Sequence, residues 1–182
     1  MADINATQFS NSDFTNLSSY VMSTLDSNIF PMYLDNMSQT SKYPNSLKLA
    51  NLIDCDEVGE TLCSVTRQLI GEIDFAYSLE STLAAYYPAD GFIDWHTNSN
   101  FELYNAICTF SENGNSFFEY EDGGSVVRVT DPVGWSVKKS KWGEENPINH
   151  RGVANGDRRI TLTFSSKVET DVDAFISYLL NT

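Results

Sequence analysis

From Phe75 onward the chain breaks into short aromatic and β-branched runs: "AYSLESTLAAYY", "FELYNAICTF", "SFFEYED", "SVVRVTD", "GWSVKKSKW" and "RRITLTFSS". Between them stand "PADG", "ENGN", "DGG" and "DPVG". These are turn chemistry, because glycine allows positive φ, proline presets φ, and Asn and Asp bond their own backbone. Many short strands separated by such turns predict an antiparallel sandwich or barrel. Ahead of them the period is helical. Phe14, Leu17, Val21 and Leu25 recur at helical spacing behind a Ser12 cap. Val58, Leu62, Val65, Leu69 and Ile73 line one face of "DEVGETLCSVTRQLIGEI", whose early acids suit the positive end of a helix. The tail "TDVDAFISYLL" reads as a closing helix. The pattern therefore predicts one domain, with helical support over residues 1–73, a β core over 75–166 and a C-terminal helix over 169–181. Residues 1–50, rich in Ser, Asn and Thr, are expected to hold one short helix plus loops.

Composition narrows the class. The 182 residues are 41% hydrophobic and 13% aromatic, enough for a buried core without covalent staples. Lys+Arg 11 against Asp+Glu 25 gives a net charge of −14, which repels phosphate backbones and anionic headgroups and argues against nucleic-acid or membrane-surface partners. Cys55, Cys63 and Cys108 are odd in number and lack metal-ligand spacing, as expected of free, mostly buried thiols in a reducing compartment. "MADINATQFSNSDF" has no basic and apolar signal pattern, and no apolar run reaches about 18 residues. A soluble cytoplasmic protein is the expectation.

The chemistry centres on "GFIDWHTNSN", which holds one of two histidines in the chain. In an extended segment His96 and Asn98 share a face. His150 enters late in the strand-rich half, followed by Arg159 and Thr161 on one strand. Two neutral imidazoles and an oxygen donor on one face leave three positions open, the facial arrangement that non-haem Fe(II) uses. Strand alternation in "RITLTF" puts Arg159, Thr161 and Thr163 on one side and Ile160, Leu162 and Phe164 on the other. A guanidinium fork beside a hydroxyl grips a carboxylate. Arg158 then becomes the solvated member of the basic pair. Trp95, Trp135 and Trp142 line either a substrate mouth or the core. "KKSKW" is the one basic cluster, either steering an anionic substrate or charging an exposed strand edge.

"YYPADGFIDWHTN", "NGNSFFEYED" and "NHRGVANGDRRITLTF" resemble, in that order, three signature stretches of the Fe(II)/2-oxoglutarate-dependent oxygenases. The likeness covers roughly residues 86–166 and is closest to the prolyl-hydroxylase-like branch, in its small marine phage and microbial versions with an HTN triplet. It implies a double-stranded β-helix (jelly roll) that is mainly β, carried by N-terminal supporting helices and a short C-terminal helix. By that resemblance His96 and His150 match the iron histidines, Arg159 and Thr161 match the clamp for the distal carboxylate of 2-oxoglutarate, and Tyr87 matches a cosubstrate-contacting tyrosine. Tyr86 and Tyr104 are substitutes for Tyr87. The family pattern has a carboxylate where Asn98 stands. Asn98 can coordinate through its amide oxygen, leaving the site one unit more positive. Asp94 is the alternative third ligand if the strand is bulged. A third alternative leaves the position to halide, as in related halogenases, although Asn fills more space than the small residue they carry there.

The implied activity is a dioxygenase using Fe(II), 2-oxoglutarate and dioxygen on a protein side chain or small molecule, releasing succinate and carbon dioxide. A non-catalytic jelly-roll binding protein that lost turnover through Asn98 is the competing reading. A cupin-like isomerase or sugar-binding jelly roll would leave the Arg159 and Thr161 clamp without a purpose. Substrate choice is assigned to the loops "SENGN", "EDGGS" and "KWGEENPIN".

Overall fold

A computed structural model describes residues 4–25, 47–48, 57–98, 102–143, 145 and 147–182. Cys55, the loops expected between the first two helices, and the side chain of Val58 lie outside the described residues. In chain order the elements are β1 (Thr7–Gln8), α1 (Ser12–Thr24), β2 (Leu47–Lys48), α2 (Glu57–Tyr77), β3 (Glu80–Tyr87), β4 (Phe92–His96), β5 (Leu103–Ser111), β6 (Phe117–Asp122), β7 (Ser125–Thr130), β8 (Gly134–Trp142), β9 (His150–Val153), β10 (Arg159–Ser166) and α3 (Glu169–Asn181).

The strands form two antiparallel sheets, one ordered β1-β8-β5-β10-β3-β2 and the other β4-β9-β6-β7. From β3 to β10 the chain switches between sheets at every step except the β6–β7 hairpin. Long connections therefore bring β10 between β3 and β5, and β9 between β4 and β6. Two such interlocked Greek keys make a jelly roll. The fold is thus mainly β, a double-stranded β-helix with helices packed outside its larger sheet.

Each face of the larger sheet has its own task. On β10, Ile160, Leu162 and Phe164 face the helices and join Phe14, Leu17, Val21, Leu62, Val172 and Phe175 in the main core. Trp135 on β8 donates its indole N–H to the Phe14 carbonyl at 2.9 Å and meets the Phe14 ring edge-on at 5.0 Å, fixing α1 to the sheet. The opposite parity of β10, Arg159, Thr161, Thr163 and Ser165, faces the space between the sheets and is buried as well.

Several local expectations shift. The N-cap of α1 is Asn11 rather than Ser12, its Oδ1 accepting from the Asp13 and Phe14 amides. Helix α2 runs through Phe75 to Tyr77, so the first core strand starts at Glu80 rather than near 75. Its buried face is Leu62, Cys63, Thr66, Leu69, Ile70 and Ile73, with Val65 turned toward solvent, because the stripe follows the 3.6-residue period rather than a straight four-residue repeat. "KKSKW" is not a uniformly exposed edge. Lys139 and Lys141 point outward, Lys139 to Glu169 and Asp173 of α3 and Lys141 to Glu102, whereas Lys138 is sealed inside. Cys63 and Cys108 are buried thiols outside any disulfide. Among the described residues no helix is long and apolar enough to cross a membrane.

Candidate functional site

A cavity of about 430 Å³ opens between the sheets. His96, Asn98 and His150 line one part of it, and Tyr87, Arg159 and Thr161 another. The histidines meet because β4 and β9 pair with His96 directly opposite His150. Their ring centroids lie 4.3 Å apart.

Both imidazoles have a fixed tautomer. His96 Nδ1 lies 2.7 Å from the Asp94 carbonyl, and His150 Nδ1 lies 2.8 Å from the Ile148 carbonyl. A carbonyl only accepts, so each Nδ1 carries a hydrogen, and in the neutral ring Nε2 is then the atom with the free lone pair, as a metal-ligating histidine requires. Burial, with the His96 ring adding to it, pushes His150 down to about 4, so it is neutral near pH 7. Trp142 stacks on His150 at 4.6 Å and 14°, and Phe118 closes in at 5.5 Å, locking the ring's orientation. Asn98 Nδ2 lies 3.4 Å from His150 Nε2. The Asn98 amide oxygen sits on the same short side chain, so a half-turn of the amide exchanges donor for acceptor at that point. Two imidazole nitrogens and one amide oxygen are donors that could hold a divalent cation of the first transition row. Among the described residues no third His, Cys, Asp or Glu completes the set.

Asp94 does not join them. The β4–β9 register slips between Ile93 and His96, and that bulge puts both of these residues on the cavity side. Asp94 is left exposed, its Oδ1 accepting from the Trp95 amide. Trp95 lies under the Arg151 guanidinium at 5.0 Å.

Arg159 is 1% exposed. Its Nε donates to Asp131 Oδ2 at 3.0 Å, its Nη1 donates to Thr161 Oγ1 at 2.6 Å, and its guanidinium lies 5.0 Å from the centre of the Tyr87 ring. Tyr87 pairs with Arg159 across β3 and β10, and burial raises its phenol, which stays protonated. Gly152 on β9 makes room for the guanidinium, since a Cβ there would stand 2.9 Å from Arg159 Nη1. Arg158, the other arginine of the pair, turns the opposite way to Glu112.

The substitutes for Tyr87 are excluded by strand parity. Tyr104 belongs to the same face of β5 as Ala106 and Cys108, packing on the helix side with Lys141 over its ring, while Leu103, Asn105 and Ile107 face the cavity. Tyr86 is likewise in the main core, its hydroxyl reaching the Leu25 carbonyl. Asp131 and Lys138 were not anticipated. Asp131 sits in the turn signal "DPVG" and Lys138 in a basic run, and only the pairing of β8 in the fold, which puts Ser136, Lys138, Ser140 and Trp142 on the inward side, shows the lysine to be internal.

No protein-family model matches the chain, and no curated protein does. Solved structures similar to it include a prolyl hydroxylase in complex with a hypoxia inducible factor oxygen degradation domain peptide fragment from Trichoplax adhaerens. It is 16% identical over 86% of this chain and 80% of that one, with a TM-score of 0.43. A Pseudomonas putida prolyl-4-hydroxylase is 12% identical over 92% of this chain and 94% of its own, also with a TM-score of 0.43.

Proposed function

We propose that the chain is an iron- and 2-oxoglutarate-dependent oxygenase of the prolyl-hydroxylase-like branch, hydroxylating a side chain or a small molecule. The observation that carries this reading is the sharing of one cavity by two imidazoles, each held through Nδ1 by a backbone carbonyl, and a buried guanidinium. His96, His150 and Asn98 would hold the iron, and Arg159, Thr161 and Tyr87 the distal carboxylate of 2-oxoglutarate. When bound, iron and cosubstrate supply the oxidation of a C–H bond, coupled to decarboxylation to succinate and carbon dioxide.

The chain's own part is placement and exclusion. Arg159 meets the carboxylate with charge-assisted hydrogen bonds in a water-poor wall, where they are strong. Thr161 holds Nη1 in place, and the neutral Tyr87 ring faces the guanidinium. Ile93, Phe118 and Trp142 supply the apolar lining at the histidine end. Past Thr163 the wall continues with Thr82, Asn105 and Ser165, and Arg159 is the one charged side chain among the described lining residues. That supports an uncharged reacting group, since a charge there would be desolvated without a partner.

The test is purified protein with Fe(II) and 2-oxoglutarate, measuring succinate above the rate without protein. His96→Ala is expected to remove the activity, and absence of succinate at every metal loading counts against an oxygenase. Asn98 favours a second reading, a jelly-roll binding protein without turnover. In that case Asn98→Asp strengthens metal binding and still yields no succinate.

A further inference from the structure

Three ionisable side chains are sealed together between the sheets: Asp131 and Lys138 are 0% exposed and Arg159 1%. Asp131 divides its carboxylate between the two cations. Oδ1 accepts from Lys138 Nζ, and Oδ2 accepts from Arg159 Nε at 3.0 Å and from Ser116 Oγ at 3.0 Å. Lys138 Nζ also donates to Thr109 Oγ1 at 3.3 Å. Of the three, only Arg159 reaches the cavity wall.

For stability alone the lysine is a costly choice. A buried ion group repays desolvation only with matched charges and complete hydrogen bonding, and one anion shared by two cations is unmatched. Burial pushes the Lys138 ammonium below its ordinary value, with the Asp131 charge opposing. An aliphatic residue at this position would free Asp131 Oδ1 to turn onto Arg159. The result would be the two-pronged arginine–carboxylate pair that planar geometry favours. Arg159 would then be neutralised by the protein's own anion. With Lys138 in place, Asp131 holds Arg159 through Nε, and the Nη edge remains directed to Thr161 and the cavity.

We propose that Lys138 is a positioning residue: by occupying one oxygen of Asp131 it keeps Arg159 available to an incoming anion, and it thereby sets a preference for dicarboxylates over ligands lacking the distal carboxylate. This rests on Arg159 being the seat of that carboxylate. Calorimetric titration of the Mn(II)-loaded full chain with 2-oxoglutarate and with 2-oxobutyrate tests it, because both carry the same chelating 2-keto acid and only the first carries a distal carboxylate. The wild-type protein should favour 2-oxoglutarate. Lys138→Met should lower the ratio of the two affinities about tenfold, the size of one charge-assisted hydrogen bond, with 2-oxobutyrate affinity unchanged. Lys138→Gln keeps a neutral donor in the same slot and should lower the ratio less. An unchanged ratio in whichever variant folds, or an equal loss for both ligands, overturns the role of Lys138 and leaves the Arg159 seat standing. No preference in the wild-type protein overturns both.

Discussion

Gly152→Ala tests the proposed carboxylate seat without replacing any charged group. The new Cβ would lie 2.9 Å from Arg159 Nη1, 3.4 Å from Cζ and 3.5 Å from Nη2, where ordinary contact begins near 3.4 Å. Nη1 must therefore retreat by about 0.5 Å, the difference between 3.4 and 2.9 Å. A side-chain tip in solvent would yield at little cost. This one is buried, tied to Thr161 at 2.6 Å and to Asp131 at 3.0 Å, and backed by the Tyr87 ring, so the retreat bends at least one of those bonds. Overpacking of this kind costs about 1–3 kcal/mol. For a chain of this size that lowers Tm by roughly 2–4 °C per kcal/mol. A misaimed guanidinium should also weaken 2-oxoglutarate about tenfold in calorimetric titration, with metal affinity unchanged, since hydrogen bonds to charged groups contribute roughly 1.5–3 kcal/mol. Wild-type Tm together with wild-type 2-oxoglutarate affinity would refute the argument that Gly152 shapes the seat.

Gly71→Ala is the contrasting control: nothing lies within 4 Å of a Cβ on this helical glycine, so the change should stabilise by about 0.5–1 kcal/mol in denaturant unfolding and leave ligand affinity alone. Asn98→Asp replaces a neutral amide with a carboxylate beside His150 and should raise Fe(II) or Mn(II) affinity at least about tenfold in metal titration; an unchanged affinity removes Asn98 from the ligand set. Asp131→Asn leaves Lys138 and Arg159 buried together without their anion and should cost about 3–5 kcal/mol in chemical denaturation, so wild-type stability would show that the three charges are not coupled.

What was legible in the sequence was whatever depends on local period. The alternation of "RITLTF" separates Arg159 and Thr161 from Ile160, Leu162 and Phe164, and the structure separates them the same way. The apolar residues of α1 were readable for the same reason, while its cap moved one residue because Asn11 Oδ1 reaches two amides. Features created by pairing were hidden. The meeting of His96 with His150 depends on β4–β9 register, and one bulge decides that Asp94 turns away. Tyr104 was misassigned because a tyrosine satisfies strand propensity on either face, and only the β5 register shows which face is outward. Lys138 was hidden because "WSVKKSKW" has polar residues on both parities and so carries no clean alternation.

The two parities of the larger sheet explain how so polar an interior coexists with a stable fold. Its helix-facing side supplies an apolar layer closed by α1, α2 and α3, so burial on that side carries the stability. The cavity-facing side is thereby free to carry Thr161, Thr163, Ser165, Asn105 and Lys138, residues that would weaken a conventional sandwich core. Ser165 Oγ donates to Asn105 Oδ1 at 2.7 Å and Arg159 donates to Thr161, so these members of the polar layer hold one another in place while they face a cavity. Stability and chemistry consequently respond to different substitutions on the same strand. On β10, truncating Leu162 should cost about 2–5 kcal/mol of folding free energy, whereas Thr161→Val should act mainly on anion affinity, because it removes the hydroxyl that holds Nη1 while keeping the side chain's volume.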